Sequence, residues 1–128
     1  MRMIIGGGSQ GKLNCLLGEG TFTEKDVCWG SCCAWEEPFQ KPVLYQFHLL
    51  VRRLLEAGFS PEEFCSRFIA ENKDAVVIAD EIGCGIVPIN AFERQWREET
   101  GRCCCQLAAY AQRVDRVFCG CLTRIKGA

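Results

Sequence analysis

The segment MIIGGGSQGK, from Met3 to Lys12, constrains the fold of this chain more than any other. Its first apolar residues predict a short buried strand, and the glycine cluster after them predicts a sharp turn. The residues from Gly11 onward can form a helix, which the glycines at positions 18 and 20 are expected to end. A strand, a glycine-rich turn and a helix in this order predict the first unit of an α/β domain.

The rest of the chain continues this alternation. Continuous apolar runs predict buried strands at Val27–Ala34 and Ala75–Ala79, and two runs split by Gly120 predict a final strand pair at Val114–Cys119 and Leu122–Ile125. Unbroken runs of Val and Ile are typical of parallel strands covered on both faces. Periodic apolar residues predict three more helices: one from Pro42 to Gly58, one from the capping sequence Ser60-Pro61-Glu62-Glu63 to about Asn72, and a long one from Pro88.

These patterns predict a single domain over residues 1–128, with a mostly parallel sheet flanked by helices. The formal net charge of -1 gives no field that would attract nucleic acid or an anionic membrane. No run of about 18 apolar residues could span a bilayer, and the apolar start is too short for a signal peptide. We therefore expect a cytoplasmic protein without nucleic-acid or membrane partners.

Eleven cysteines are the unusual feature of the composition. In a cytoplasmic protein they are expected to stay reduced, and they could bind a metal or act as small apolar residues. No Cys-x2-Cys pair occurs, and the consecutive cysteines 103–105 would point about 100° apart on a helix, so they could not converge on one ion. We favour buried apolar residues over a zinc or iron–sulfur site.

The spacing Gly6-x4-Gly11-Lys12 is that of a phosphate-binding loop, and it lies between a predicted strand and a predicted helix, as that loop requires. Glycines let backbone N–H groups surround phosphate oxygens, and the lysine adds positive charge. Leu13 departs from the pattern because it replaces the Ser or Thr whose hydroxyl would bind Mg²⁺. The predicted nucleotide-binding residues are Gly6, Gly7, Gly8, Ser9, Gln10, Gly11, Lys12 and Leu13.

Two acidic residues, Asp80 and Glu81, follow the predicted strand Ala75–Ala79. A carboxylate at the end of a neighbouring strand can hold Mg²⁺ opposite a phosphate loop, directly or through water. We predict Asp80 as the Mg²⁺ ligand and Lys12 and Glu81 as catalytic, with Glu81 orienting or deprotonating an attacking hydroxyl. The alternative is a pair of surface charges at a strand end.

The single histidine, His48, lies near the apolar stripe of the helix predicted from Pro42. It could act as a phosphoramidate-forming nucleophile or as a general base. We favour a partly buried packing role for it.

Three later segments resemble one enzyme family. They are DEIGCGIVP (80–88), AFERQWREETGR (91–102) and RVDRVFCGCLTRIKG (113–127), and they resemble the adenosylcobinamide kinase/adenosylcobinamide-phosphate guanylyltransferase family. Its members carry a strand ending in N-E-V-G-x-G-I-V-P, a helix with R-x-F-R-D-x-x-G-R and a last strand pair that closes on a lysine. The matching positions are Glu81, Gly83, Gly85, Ile86, Val87, Pro88, Arg94, Trp96, Arg97, Glu98, Gly101, Arg102 and Lys126. The family also opens with G-G-x-x-S-G-K-S, which residues 6–12 match in frame.

The resemblance implies a shortened RecA-like P-loop NTPase fold, binding of ATP or GTP, phosphorylation of the corrinoid adenosylcobinamide, guanylyl transfer through a histidine intermediate, and a trimer. Asp80 replaces the family's Asn and Leu13 its Ser. The segment around His48 does not resemble the family's histidine segment, so we do not assign the guanylyl-acceptor role to it. We expect a cobinamide-type kinase that uses Mg²⁺. The alternatives are a non-catalytic relative that binds nucleotide, corrinoid or a protein partner, and a thiol-dependent redox or metal protein.

Overall fold

The computed structural model describes residues 1–8, 11–82 and 90–127. Within these residues the strands are β1 (Arg2–Gly6), β2 (Val27–Trp29), β3 (Val43–Tyr45), β4 (Val76–Asp80), β5 (Arg113–Phe118) and β6 (Cys121–Lys126). They form one sheet in the order β2-β3-β4-β1-β5-β6. Strands β1 to β5 run parallel to their neighbours, and β6 pairs antiparallel to β5.

Four α-helices flank this sheet in the described part of the chain: α1 (Lys12–Gly18), α2 (Phe47–Glu56), α3 (Pro61–Glu71) and α4 (Ala91–Tyr110). Side chains of β1 and β4 alternate between the two faces, so that Met3 and Val77 pack with α2, α3 and α4 while Ile4 and Ile78 pack with α1. The predicted α/β fold with a mostly parallel sheet is confirmed. No helix within the described ranges is long and apolar enough to cross a membrane.

Local signals set the ends of the later helices. The Ser60 hydroxyl accepts the Glu63 N–H at 3.2 Å at the start of α3, and the Asn90 side chain accepts the Glu93 N–H at 2.7 Å at the start of α4. At the end of α4, the Lys126 ammonium donates to the carbonyl oxygen of Ala108 at 2.7 Å, which satisfies a carbonyl of the last turn.

The helix predicted from Pro42 is wrong in its first turn. Residues Val43–Tyr45 form β3 between β2 and β4, and α2 begins only at Phe47. The cause is tertiary, because hydrogen bonds to two neighbouring strands outweigh the helical spacing of these apolar residues. Gln46, with φ 59 and ψ 45, separates the strand from the helix.

Two other predicted boundaries differ. The strand predicted over residues 27–34 ends at Trp29, because the Cys33 N–H donates to the Trp29 carbonyl oxygen at 2.8 Å and closes a helical turn there. The long helix begins at Ala91 with Asn90 as its cap, and Pro88, its predicted start, lies outside the described residues. The predicted first strand, first helix, α3, β4 and final strand pair are all present.

Candidate nucleotide site

The carboxyl ends of β1 and β4 bring the glycine loop against an acidic side chain. Gly6, the last residue of β1, is in register with Asp80, the last residue of β4. The loop that leaves β1 and the Asp80 carboxylate therefore lie at the same edge of the parallel sheet. Ligands bind at this edge in open α/β sheets.

Lys12 and Asp80 form an ion pair at this edge. The Lys12 ammonium lies 2.6 Å from Asp80 Oδ1 and donates to the Gly7 carbonyl oxygen at 2.7 Å. Lys12 is only 4% exposed, so its charge depends on these partners. Gly11 precedes α1 at φ 81, a backbone conformation that favours glycine, and this turn directs the first residue of the helix toward Asp80.

His48 lies against the other side of Asp80. The Asp80 backbone N–H donates to His48 Nδ1 at 3.1 Å, and His48 Nε2 lies 3.3 Å from Asp80 Oδ2. Because Nδ1 accepts this bond, the ring proton of the neutral imidazole is on Nε2. Burial lowers the pKa of His48, the Asp80 charge partly opposes this shift, and the Lys12 charge adds to it. His48 is therefore neutral at pH 7.

Tyr45 and Gln46 form a second wall at the end of β3. Burial raises the pKa of Tyr45, and the Asp80 charge raises it further, so the phenol keeps its proton. Gln46 holds a left-handed backbone conformation that is uncommon for a residue with a side chain. Its Oε1 is buried and has no hydrogen-bond partner among the described residues. An orphaned acceptor of this kind is costly unless a ligand or water satisfies it.

These groups surround a cavity of about 490 Å³. Its lining comprises Gly8, Gly11, Lys12, Leu13, Asn14, Tyr45, Gln46, His48, Leu49 and Asp80. The volume lies within the range of roughly 300–1,000 Å³ that is usual for small-molecule sites. A polyphosphate group would find one ammonium here, beside the glycine turn.

The residues present fit Mg²⁺ only as part of a nucleotide complex. No group of three or more His, Cys, Asp or Glu side chains in the described ranges could hold a metal ion, and Leu13 offers no oxygen. Mg²⁺ usually keeps several waters and binds through one or two protein carboxylates plus phosphates. Asp80 supplies one carboxylate on the cavity wall.

Glu81 stands apart from this arrangement. Its two carboxylate oxygens are bound by the Arg116 guanidinium, each at 3.0 Å, and its N–H donates to the Gly6 carbonyl oxygen at 2.7 Å. A role as general base would require release from Arg116, and it stays a prediction. Ser9 and Gln10, also predicted to bind nucleotide, lie outside the described residues.

The structure adds five lining residues that sequence reasoning did not place in the site, and three of them are polar residues from the end of β3 and the start of α2. His48, Tyr45 and Gln46 line the cavity because β3 ends there and α2 starts there. The helix predicted from Pro42 put all three inside one helix. The short run Val43–Tyr45 followed by a polar residue resembles the pattern that identified β4 and Asp80, but a run this short fits a helix equally well and gives no decisive signal.

A family model for cobinamide kinase / cobinamide phosphate guanyltransferase matches residues 52–125, more than half of the chain. The chain belongs to this family. Cobinamide kinases and guanyltransferases act in cobalamin biosynthesis and use nucleotides. A mostly parallel sheet with a cavity at the carboxyl ends of its strands agrees with this assignment. No curated protein was found to match the chain.

The family match includes Asp80 and α4 but begins after the glycine loop and after His48. One residue of α4 connects the two parts. The Trp96 indole N–H, in the position of the motif's aromatic residue, donates to the His48 carbonyl oxygen at 2.7 Å. This bond fixes the first turn of α2 against the N-terminal half of α4.

Proposed function

We propose that the chain is a nucleotide-dependent kinase that transfers a phosphoryl group from ATP or GTP to the hydroxyl of adenosylcobinamide. The family assignment supports the substrate class. The observation that carries the proposal is the Lys12–Asp80 ion pair, which stands at the sheet edge between the glycine turn and a cavity of suitable size. This arrangement provides a cation for phosphate and a carboxylate for its metal.

In the proposed mechanism, Lys12 exchanges its contact with Asp80 for a phosphate oxygen when the nucleotide binds. Its ammonium then stabilises the charge on the transferring phosphoryl group, as do the backbone N–H groups of residues 7–12. Asp80 would hold Mg²⁺, which would neutralise charge on the phosphate oxygens. Glu81 is proposed to orient or deprotonate the attacking hydroxyl.

The proposal does not extend to guanylyl transfer through a histidine. The chain contains one histidine, and both of its ring nitrogens face Asp80. Nδ1 accepts a backbone N–H, and Nε2 carries the proton, so neither nitrogen has a free lone pair in this arrangement. A phosphoramidate-forming nucleophile needs such a lone pair.

Calorimetric titration with ATP and with GTP in the presence of Mg²⁺ tests the proposal. Binding heat is expected for the unmutated protein, and Lys12→Ala is expected to abolish it. Lys25→Ala is the matched control because Lys25 is an exposed lysine that does not line the cavity. Circular dichroism establishes whether each variant is folded. The absence of heat from the unmutated protein would end the kinase proposal.

A non-catalytic relative that binds its ligand without turnover is the second candidate, because Leu13 cannot supply the hydroxyl of the motif. Leu13→Ser distinguishes the two. A weak kinase should gain phosphoryl transfer to cobinamide from labelled ATP, whereas a binding protein should not. Cys15→Ser is the control, since it places a hydroxyl on the same helix but not on the cavity wall.

A further inference from the structure

Two cysteines approach each other beside the turn that follows β2. Cys28 lies within β2 and is fully buried, and Cys33 lies at the end of the next turn and is 5% exposed. The turn closes through the Cys33 N–H, which donates to the Trp29 carbonyl oxygen at 2.8 Å. This bond folds the chain back so that the two thiol groups hydrogen-bond to each other.

An arginine of α2 holds this turn in place. Arg53 Nη1 lies 3.6 Å from Cys33 Sγ and donates to the Gly30 carbonyl oxygen at 2.9 Å, while Nη2 donates to the Cys33 carbonyl oxygen at 2.8 Å. The guanidinium also stacks over the Trp35 ring, 4.7 Å from its centroid. The guanidinium is therefore held by two carbonyl oxygens and the Trp35 ring, with its Nη1 edge toward the Cys33 sulfur.

We propose that Cys28 and Cys33 form a redox-active dithiol in which Cys33, whose sulfur lies beside Arg53, is the nucleophile and Cys28 is the resolving thiol. The oxidant class is a peroxide. A cation beside the sulfur favours the thiolate form, which is the form that reacts, and a second thiol within contact makes the oxidation reversible.

The surrounding charges favour this division of roles. The hydrogen bond from Cys28 lowers the pKa of Cys33, burial opposes this, and Arg53 lowers it further, whereas Glu37 raises it. The pKa of Cys28 is raised by the same hydrogen bond and by burial, with Lys41 acting in the other direction. Cys33 is the sulfur that ionises, and Cys28 is the one that keeps its proton.

The chemistry balances with hydrogen peroxide as the oxidant. The Cys33 thiolate attacks one peroxide oxygen, the O–O bond breaks, and Cys33 sulfenic acid and hydroxide form. The Cys28 sulfur then attacks the sulfenic sulfur, and the S–O bond breaks. The Cys28 proton leaves with the hydroxyl group as water. The two sulfurs together lose two electrons and peroxide gains them, with a disulfide and two waters as products once the hydroxide is protonated.

The chain carries its own control pair. Cys65 and Cys103 also hydrogen-bond to each other and are at most 1% exposed, between α3 and α4. The pKa of Cys65 is raised by that bond and by burial, and the charged groups that act on it, Cys103, Cys104 and Glu62, include no cation. We expect this pair to stay reduced when Cys28 and Cys33 are oxidised.

The experiment treats the reduced full-length protein with limiting hydrogen peroxide at neutral pH, alkylates the remaining thiols and maps tryptic peptides by mass spectrometry. Cys28, Cys32 and Cys33 fall on one peptide, so the disulfide appears as a loss of two hydrogens with one alkylated cysteine. Cys32→Ser, which changes the exposed neighbour, should leave the disulfide intact. Cys33→Ser and Cys28→Ser should each prevent it.

The rate of disulfide formation distinguishes a reactive dithiol from incidental oxidation. Arg53→Met should slow disulfide formation at neutral pH, because without the cation a smaller fraction of Cys33 is thiolate, and Arg53→Lys should restore part of the rate. Three outcomes would overturn the proposal: full alkylation of Cys28 and Cys33 after peroxide, a disulfide that persists in Cys33→Ser through Cys32, or oxidation of Cys65 and Cys103 at the same rate. The unmutated protein alone can give the first and third of these, so a variant that fails to fold leaves the test intact.

Discussion

His48 should make the stability of the fold depend on pH in a direction that the structure determines. Burial lowers its pKa below the ordinary value of 6.5, so between these two values the unfolded chain binds a proton that the folded chain excludes. The contribution of the neutral imidazole is therefore fully present above pH 6.5 and is lost as the pH falls through the folded pKa. The physical reason is local. His48 Nδ1 now accepts a hydrogen bond from the Asp80 backbone N–H at 3.1 Å, and a protonated Nδ1 would instead point its own N–H at that donor.

The dependence of the unfolding free energy on pH that one histidine can produce has an upper limit. One proton bound differently by the two states changes the free energy of unfolding by about 1.4 kcal/mol per pH unit. The slope from His48 is at most about half this value at pH 6.5, where half of the unfolded chains are protonated; it increases below that pH and fades once the folded protein is also protonated. His48→Asn is the reference variant because its side-chain oxygen can accept the Asp80 N–H and does not titrate.

Urea denaturation of both proteins between pH 5 and pH 8 measures the difference in unfolding free energy. Since the chain has one histidine, the difference isolates it, and titration of Cys33 cancels because both proteins share it. The wild-type advantage should be constant above about pH 7 and should decrease toward pH 5. An advantage that grows as the pH falls would refute the reasoning, because attraction between imidazolium and the Asp80 carboxylate would then outweigh burial.

Four other substitutions test packing, a buried ion pair and a helix cap elsewhere in the fold, each by urea denaturation. Gly30→Ala should lower the free energy of unfolding by about 1–3 kcal/mol, because a Cβ would overlap the Gln46 carbonyl oxygen and lie 2.9 Å from the Tyr45 carbonyl oxygen. Gly101→Ala should instead raise it by about 0.5–1 kcal/mol, because Gly101 lies on a helix face where a Cβ would meet nothing within 4 Å. Asp115→Ala should cost roughly 3–5 kcal/mol, because it removes a fully buried carboxylate paired with two arginines at 2.7 and 2.9 Å, and a cost below about 1 kcal/mol would contradict this account. Asn90→Ala should cost about 1 kcal/mol and shorten α4, and unchanged helix content and stability would exclude a capping role.

Elements with strong local signals could be predicted from the sequence. Strand β4 is a continuous Val and Ile run that ends at a charge, and α3 begins at a capping serine followed by proline. Strand β3 could not be predicted, because its three residues after a proline fit a helical pattern as well as they fit a strand. Only pairing with β2 and β4 decides between the two, and that information is not local.

The same error determined which site residues were found. Lys12 and Asp80 were predicted because the loop spacing and the strand end are visible in the sequence, and the structure brings them together. His48 and Gln46 reach the cavity only if α2 starts after Gln46, so a helix assumed from Pro42 hides both. A five-residue error in the start of one helix thus concealed the second wall of the cavity.

The Lys12–Asp80 pair also joins the part of the chain that matches the family to the part that does not. Asp80 lies inside the matched residues 52–125, and Lys12 lies outside them. Lys12 is only 4% exposed and needs a counter-charge, which the Asp80 carboxylate supplies. The family motif has Asn at this position, and an amide could not balance the ammonium. Asp80 therefore holds Lys12 in place, and under the proposed function a nucleotide would have to compete with it. If Asp80→Asn binds ATP more tightly than the unmutated chain, this competition is real; if it binds more weakly, the main contribution of Asp80 is to the metal.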